Sequence, residues 1–356
     1  MKKKCCFSKA KAKQFIFSIK IFIFIIAISF SSFAQPSGFQ DQLKVQGGLF
    51  NGLFSTVGST FDKAGGMYAI EVSGKVWAIR FDANNVENRY LLLDISNEVL
   101  NTGDLGLVSM TLDPNFLTNG YIYLMYSVNR SFLMTGIDGG DDASQSGTIV
   151  RVTRYTANKN AMPSFSNLVA DSRLILIGTS PSDGIPVLGT NHGGGCLLFG
   201  TDGTLLVSTG DGSTTANDVG SQGSYQEAID AGVITMGQNV GSYRCQMDST
   251  LNGKVLRVNP ANGDGISSNP LYNADSSRSA KSRMWAKGFR NPFRMTLMPN
   301  TGGHHPEEGN PGVLVVGDVG SVNREEVNTV TAGGQNFGWP HYEGIDFINL
   351  GFDNEN

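Results

Sequence analysis

"GGMYAIEVSGKVWAIRF" spans residues 65–81. Two runs of alternating apolar residues flank a turn at Ser73 and Gly74. Successive side chains of a strand point to opposite faces, so runs of this length and period predict half-buried sheet strands. The same unit recurs in "NGYIYLMYSV" (119–128), "SGTIVRVTRYTA" (146–157), "DGTLLVSTGDG" (202–212), "LNGKVLRVNP" (251–260) and "PGVLVVGDVG" (311–320). A "GKV" turn returns at Gly253 and again leads into an apolar strand. Short strands joined by tight turns, without long helical patterns between them, leave a sandwich, a barrel or a propeller. The units echo one another weakly over more than 300 residues. Radial repetition of four-stranded sheets accounts for that spread, so the expectation is an all-β propeller. Two stretches interrupt it, 213–249 and "TGGHHPEEGN" (301–310), and both are expected to be long loops on one rim.

The 45 glycines of the 356-residue chain match that density of turns. Residues 1–34 read differently. "MKKKCCFSKAKAKQFIFSIK" carries seven lysines and no acid, "IFIFIIAISF" is apolar, and Ser32 and Ala34 occupy the small positions of a cleavage site. This is the pattern of a secretory signal peptide, and the apolar core is short for a membrane span. The expected location is therefore secreted, periplasmic or cell-surface, with no membrane span after cleavage. Cys5 and Cys6 precede the apolar core, where a lipoprotein cysteine would follow it. Without those seven lysines, 20 basic residues face 31 acidic ones, a formal charge of −11. An acidic exported domain is a poor partner for nucleic acid. Two cysteines remain, Cys196 and Cys245. Export permits a disulfide between them, and two separate buried thiols are the equal alternative.

The chain has four histidines, and His192 lies in "GTNHGGGCLLFGTDGTLLVSTGDG" (189–212), followed by three glycines. Such glycines allow close approach of a flat ligand. Asp211 follows 19 residues later, at the end of a predicted strand. A hairpin through "GTDG" sets the start of one strand beside the end of the next, so Asp211 is expected to orient the His192 ring as a general base. In "WAKGFRNPFRM" (285–295), Arg290 stands before Asn291 and Pro292, placed to present its fork to an anion or a developing oxyanion. "GIDGGDD" (136–142) lacks the spacing of a calcium-binding EF-hand and reads as a solvated acidic loop. Walker, Rossmann, G-x-S-x-G and H-E-x-x-H motifs are missing, which argues against nucleotide cofactors, serine esterases and zincins.

Six blocks carry a resemblance in order: "GDLGLVSMTLDPNFLTNGYIYLMYS", "NHGGGCLLFGTDGTLLVSTGDG", "LNGKVLRVNP", "WAKGFRNPFRM", "VGDVGSVNREEVNTV" and "GGQNFGWPHYEG". Over about residues 38–344 the chain resembles the glucose/sorbosone dehydrogenase family, which includes soluble quinoprotein glucose dehydrogenases, aldose sugar dehydrogenases and hedgehog-interacting-protein-like proteins. The resemblance implies a six-bladed β-propeller over 38–356, incomplete at its C-terminal end. It also implies pyrroloquinoline quinone (PQQ) and Ca²⁺ as cofactors, a sugar as substrate and an external electron acceptor. Carried over, His192 is the catalytic base, Asp211 supports it, and Arg290 and Asn291 contact the quinone oxygens. Gly320 and Ser321 lie on the turn whose carbonyls hold Ca²⁺, with serine replacing the proline of some members. Asp104 stands where some members place a glutamine against the quinone. The alternative reading is a non-catalytic carbohydrate- or protein-binding module of a longer cell-surface protein.

Overall fold

The structure, a computed structural model, describes residues 55–139, 147–213, 225–321 and 323–347. The proposed signal peptide lies outside them, as do the last three residues of "GIDGGDD". The described chain runs through antiparallel sheets taken in sequence order. The first holds β1 (Thr56–Phe61), β2 (Met67–Glu71), β3 (Lys75–Phe81) and β4 (Glu87–Asp94). In the second, β5 (Leu107–Leu112), β6 (Tyr121–Ser127), β7 (Thr148–Thr156) and β8 (Leu174–Ile177) lie in order, and β9 (Ile185–Val187) also pairs with β7. The third is built from β10 (Leu197–Phe199), β11 (Leu205–Thr209), β12 (Lys254–Val258) and β13 (Met284–Lys287). A three-stranded sheet follows, β14 (Pro292–Leu297), β15 (Leu314–Asp318) and β16 (Glu326–Val330), and then a short pair, β17 (Tyr342–Glu343) and β18 (Asp346–Phe347). Each run singled out in the sequence supplies a strand of this set, and 65–81 supplies two, β2 and β3.

Period-two patterning explains how the sheets stack. On β6, Leu124 and Tyr126 join a cluster with Tyr68, Ile70 and Val76 of the first sheet. Their neighbours Tyr123 and Met125 face the other way, into a cluster with Leu205, Val207 and Leu256 of the third. On β11 the alternation repeats: Leu206, between Leu205 and Val207, packs with Trp285, Leu314 and Val316 beside the fourth sheet. An inner sheet is thus apolar on both faces, and burying such rows supplies the main drive to fold.

The segment 213–249, expected as a polar rim loop, is more integral than that. From residue 225 onward it forms short helical turns, Gln226–Asp230 among them. Tyr225, Ala228, Val233 and Ile234 complete the first core cluster, and Arg244 and Cys245 are fully buried. Sparse apolar residues at helical spacing were enough to dock it. The 301–310 segment contains the turn Pro306–Glu308, and its Pro306 carbonyl accepts hydrogen bonds from the buried Arg257 and from Ser268. Arg257 on β12 meets Asp202 at 2.6 Å and also donates to Ser268, Asn269 and the Pro306 carbonyl. Among the described residues no helix is long and apolar enough to cross a membrane.

Candidate active site

The β10–β11 hairpin pairs Leu197 with Val207, closes through the turn at 200–204, and brings its two open ends together. His192 precedes one end and Asp211 follows the other; their Nδ1 and Oδ1 atoms are 2.8 Å apart. The Gly212 amide donates to the His192 carbonyl at 3.2 Å. Gly210 makes the close approach possible, since a Cβ there would lie 2.1 Å from that same carbonyl oxygen. The three glycines after His192 do not open a slot for a flat ligand. Added Cβ atoms on Gly193, Gly194 and Gly195 would strike Leu105, Met125 and Pro292 at 2.7, 2.5 and 2.3 Å. Their bareness serves packing between neighbouring strands instead.

Asp211 is fully buried, and its carboxylate is saturated. Oδ1 also accepts from the Ser213 amide (3.0 Å) and hydroxyl (2.9 Å), and Oδ2 accepts from the Trp339 indole Nε1 at 2.8 Å. Burial alone would push its pKa up, but the His192 ring, the Ser213 amide and the Arg290 charge pull it down to about 2. An ionised carboxylate only accepts, so Nδ1 of His192 must carry a proton. In the neutral ring Nε2 is then left as a lone-pair acceptor. Nε2 has no hydrogen-bond partner among the described residues. Because Asp211 titrates lower folded than unfolded, its contribution to stability is present above about pH 4. It is lost as the pH falls from there toward 2, about 2 kcal/mol in all. Denaturant titrations between pH 2 and 5 are expected to show this loss in the wild type and a flatter profile in Asp211→Asn.

A second carboxylate aligns the next two residues. Asp318, at the end of β15, accepts from the Arg290 amide at 3.0 Å and the Asn291 amide at 2.7 Å. Burial raises its pKa to about 7 against the pull of those two amides. The Arg290 carbonyl accepts from the Asp211 amide at 2.8 Å, and Arg290 Nη1 donates to the Val319 carbonyl. Arg290 and Asn291 are thereby laced between the third and fourth sheets, beside the His192–Asp211 pair. Arg290 Nε and Asn291 Oδ1 are buried and lack hydrogen-bond partners.

Asp104 is exposed on the loop before β5, and its amide donates to the Thr190 carbonyl at 2.9 Å, two residues from His192. Gly320 and Ser321 follow β15. The Gly320 amide donates to Glu325, while those of Ser321 and Asn323 donate to the buried Glu343. Among the described residues no cluster of three or more His, Cys, Asp or Glu side chains is placed to hold a metal ion. A cation at this turn would rest on carbonyl oxygens. Cys196 and Cys245 are free, buried thiols; Cys245 Sγ donates to the Trp339 carbonyl and Cys196 Sγ approaches that of Met295. Sequence reasoning gave no role to Ser213, Asp318, Trp339 or Glu343. The last three lie in quoted blocks, but their partners are distant in the chain.

The family model described as Glucose / Sorbosone dehydrogenase matches residues 58–350. The HIPL1 protein of Arabidopsis thaliana is 25% identical over 287 residues, which is 72% of this chain and 36% of that protein. The chain thus spans about a third of the length of that curated relative. Among solved structures, the PQQ-bound aldose sugar dehydrogenase of Streptomyces coelicolor aligns with TM-score 0.54 and 20% identity, over 83% of this chain and 65% of its own. A putative oxidoreductase (glucose dehydrogenase) of Thermus thermophilus aligns with TM-score 0.55 and 24% identity, over 83% and 67%. Both likenesses concern the fold.

Proposed function

Because the chain belongs to the glucose/sorbosone dehydrogenase family, we propose that it is an exported, PQQ-dependent oxidoreductase that oxidises an aldose sugar. The successive sheets are, in this reading, blades of a six-bladed propeller, and the site lies on one rim. One observation carries the proposal: a buried, ionised Asp211 bound to Nδ1 of His192, which leaves Nε2 as the proton acceptor. That is the arrangement a general base needs to take a hydroxyl proton from a sugar.

The neighbouring residues fit a polar, anionic cofactor. Leaving Arg290 Nε buried without an acceptor is costly, and an oxygen of an anionic ligand would supply one, whereas Asn291 Oδ1 needs an N–H or O–H donor. Arg290 and Asn291 would hold the quinone oxygens, Asp104 would face the same space, and carbonyls of Gly320 and Ser321 would hold Ca²⁺. When bound, PQQ supplies an electron-poor quinone that accepts the sugar's hydride, polarised by Ca²⁺. The chain's own work is positional and electrostatic: Asp211 fixes the ring, His192 removes the proton, and Arg290 offers positive charge where oxygen becomes negative.

The likeness to HIPL1 and the exposed carboxylate of Asp104 favour a second reading, a binding module without catalysis. Calorimetric titration with PQQ in the presence of Ca²⁺ separates the two. The oxidoreductase reading expects saturable binding that weakens at least tenfold in Arg290→Met. Absence of PQQ binding by the wild-type protein would favour the binding module.

A further inference from the structure

Trp339 touches both halves of the site. Its Nε1 is 2.8 Å from Asp211 Oδ2 and is the only donor to that oxygen among the described residues. Its ring centroid lies 5.4 Å from the Arg290 guanidinium carbon. The residue is itself held in place. Its amide donates to the Gly288 carbonyl at 3.0 Å, its carbonyl accepts from Cys245 and Gln246, and it is 3% exposed. We infer that Trp339 is a positioning residue that sets the orientation and the charge of Asp211, and through it the basicity of His192. The inference rests on the reading of His192 as a base.

With Oδ1 engaged by His192 and Ser213 and Oδ2 by the indole, the carboxylate cannot turn about its Cβ–Cγ bond without losing a buried hydrogen bond. Its plane is therefore fixed, and the imidazole follows. The indole N–H also draws off part of the carboxylate's negative charge. Without it, more of that charge would act on the protonated ring, and His192 would hold its proton to higher pH. The other charged or titratable groups packed around Asp211 are already engaged, and Asp104 stands exposed on the loop before β5. Arg290 donates to Val319, and Arg244 donates to the carbonyls of Asp211 and Gly212. Asp318 accepts two amides, Lys254 donates to three carbonyls, and burial keeps the Cys245 thiol neutral. None of these contacts replaces the Trp339 N–H at Oδ2.

The test compares Trp339→Phe with Trp339→His. Phenylalanine keeps a ring near Arg290 and removes the N–H. Histidine restores an N–H on a five-membered ring, so it also controls for packing. Two readouts are followed: the pH titration of the His192 imidazole by ¹⁵N NMR in cofactor-free protein, its signal identified by loss in His192→Gln, and the acid limb of kcat/KM in PQQ- and Ca²⁺-loaded protein. In Trp339→Phe both are expected to move to higher pH by about half a unit or more, with PQQ affinity within twofold of wild type, and Trp339→His is expected to reverse most of the shift. An unshifted titration in Trp339→Phe overturns the inference, as does an equal shift in both variants, which would assign the effect to ring volume. The NMR shift without sugar oxidation by any of the proteins would keep the positioning role and discard the function. Sugar oxidation without the shift would do the reverse.

Discussion

Replacing His192 with glutamine is expected to lower PQQ-dependent aldose turnover by about 10²- to 10⁴-fold, the range a positioned general base supplies. Glutamine is close in size, and its amide can still donate to Asp211, so the buried carboxylate keeps a partner at Oδ1. It offers no basic lone pair where Nε2 of the imidazole stood. The protein should therefore fold and bind PQQ near wild-type levels while kcat collapses. Steady-state kinetics beside a thermal melt separates the two effects. Turnover within threefold of wild type would mean that the proton leaves by another route.

At the opposite end of the same hairpin, a substitution should cost stability and spare the chemistry. Asp202 lies in the turn that closes β10 onto β11, and its ion pair with Arg257 has both side chains buried. Asp202 also accepts from the Thr204 amide and hydroxyl. In Asp202→Ala the Arg257 guanidinium stays buried and loses its only ion-pair partner among the described residues, a change that costs about 3–5 kcal/mol. Removing the charge as well, in Asp202→Ala/Arg257→Met, should recover part of that loss, because the worst consequence is the unpaired cation. Urea unfolding of the two variants reads both numbers. A loss below about 1 kcal/mol in the single variant would show that Ser268, Asn269 and the Pro306 carbonyl suffice for Arg257.

The two ends of this hairpin also mark how far the sequence could be read. Runs such as 65–81 and 202–212 were legible as strands from their length and bounding turns, but the half-buried character expected of them does not hold for the inner sheet, where β11 and β12 are buried along their whole length because the sheet packs on both faces. The meeting of His192 with Asp211 was legible because a hairpin is local and its register follows from its turn. The indole on Asp211 comes from 128 residues downstream, and the carboxylate on the Arg290 amide from 28. No local rule places such partners; they meet only once separate sheets stack. The three glycines after His192 misled for a related reason. A missing Cβ marks close approach without saying what approaches, and here it is Leu105, Met125 and Pro292. The 213–249 segment hid its buried part because its apolar residues are few and its helical turns short.

The proposed activity depends on the Nε2 lone pair of His192 working as a base toward a sugar hydroxyl. Protein loaded with PQQ and Ca²⁺ can be mixed with an aldose and an electron-accepting dye, with His192→Gln run in parallel. The wild-type protein is expected to show sugar-dependent dye reduction that falls away as the pH is lowered, and the variant about a hundredfold less or lower still. Bound PQQ with no sugar-dependent reduction above the level of His192→Gln, at any pH and with any aldose tried, would contradict it.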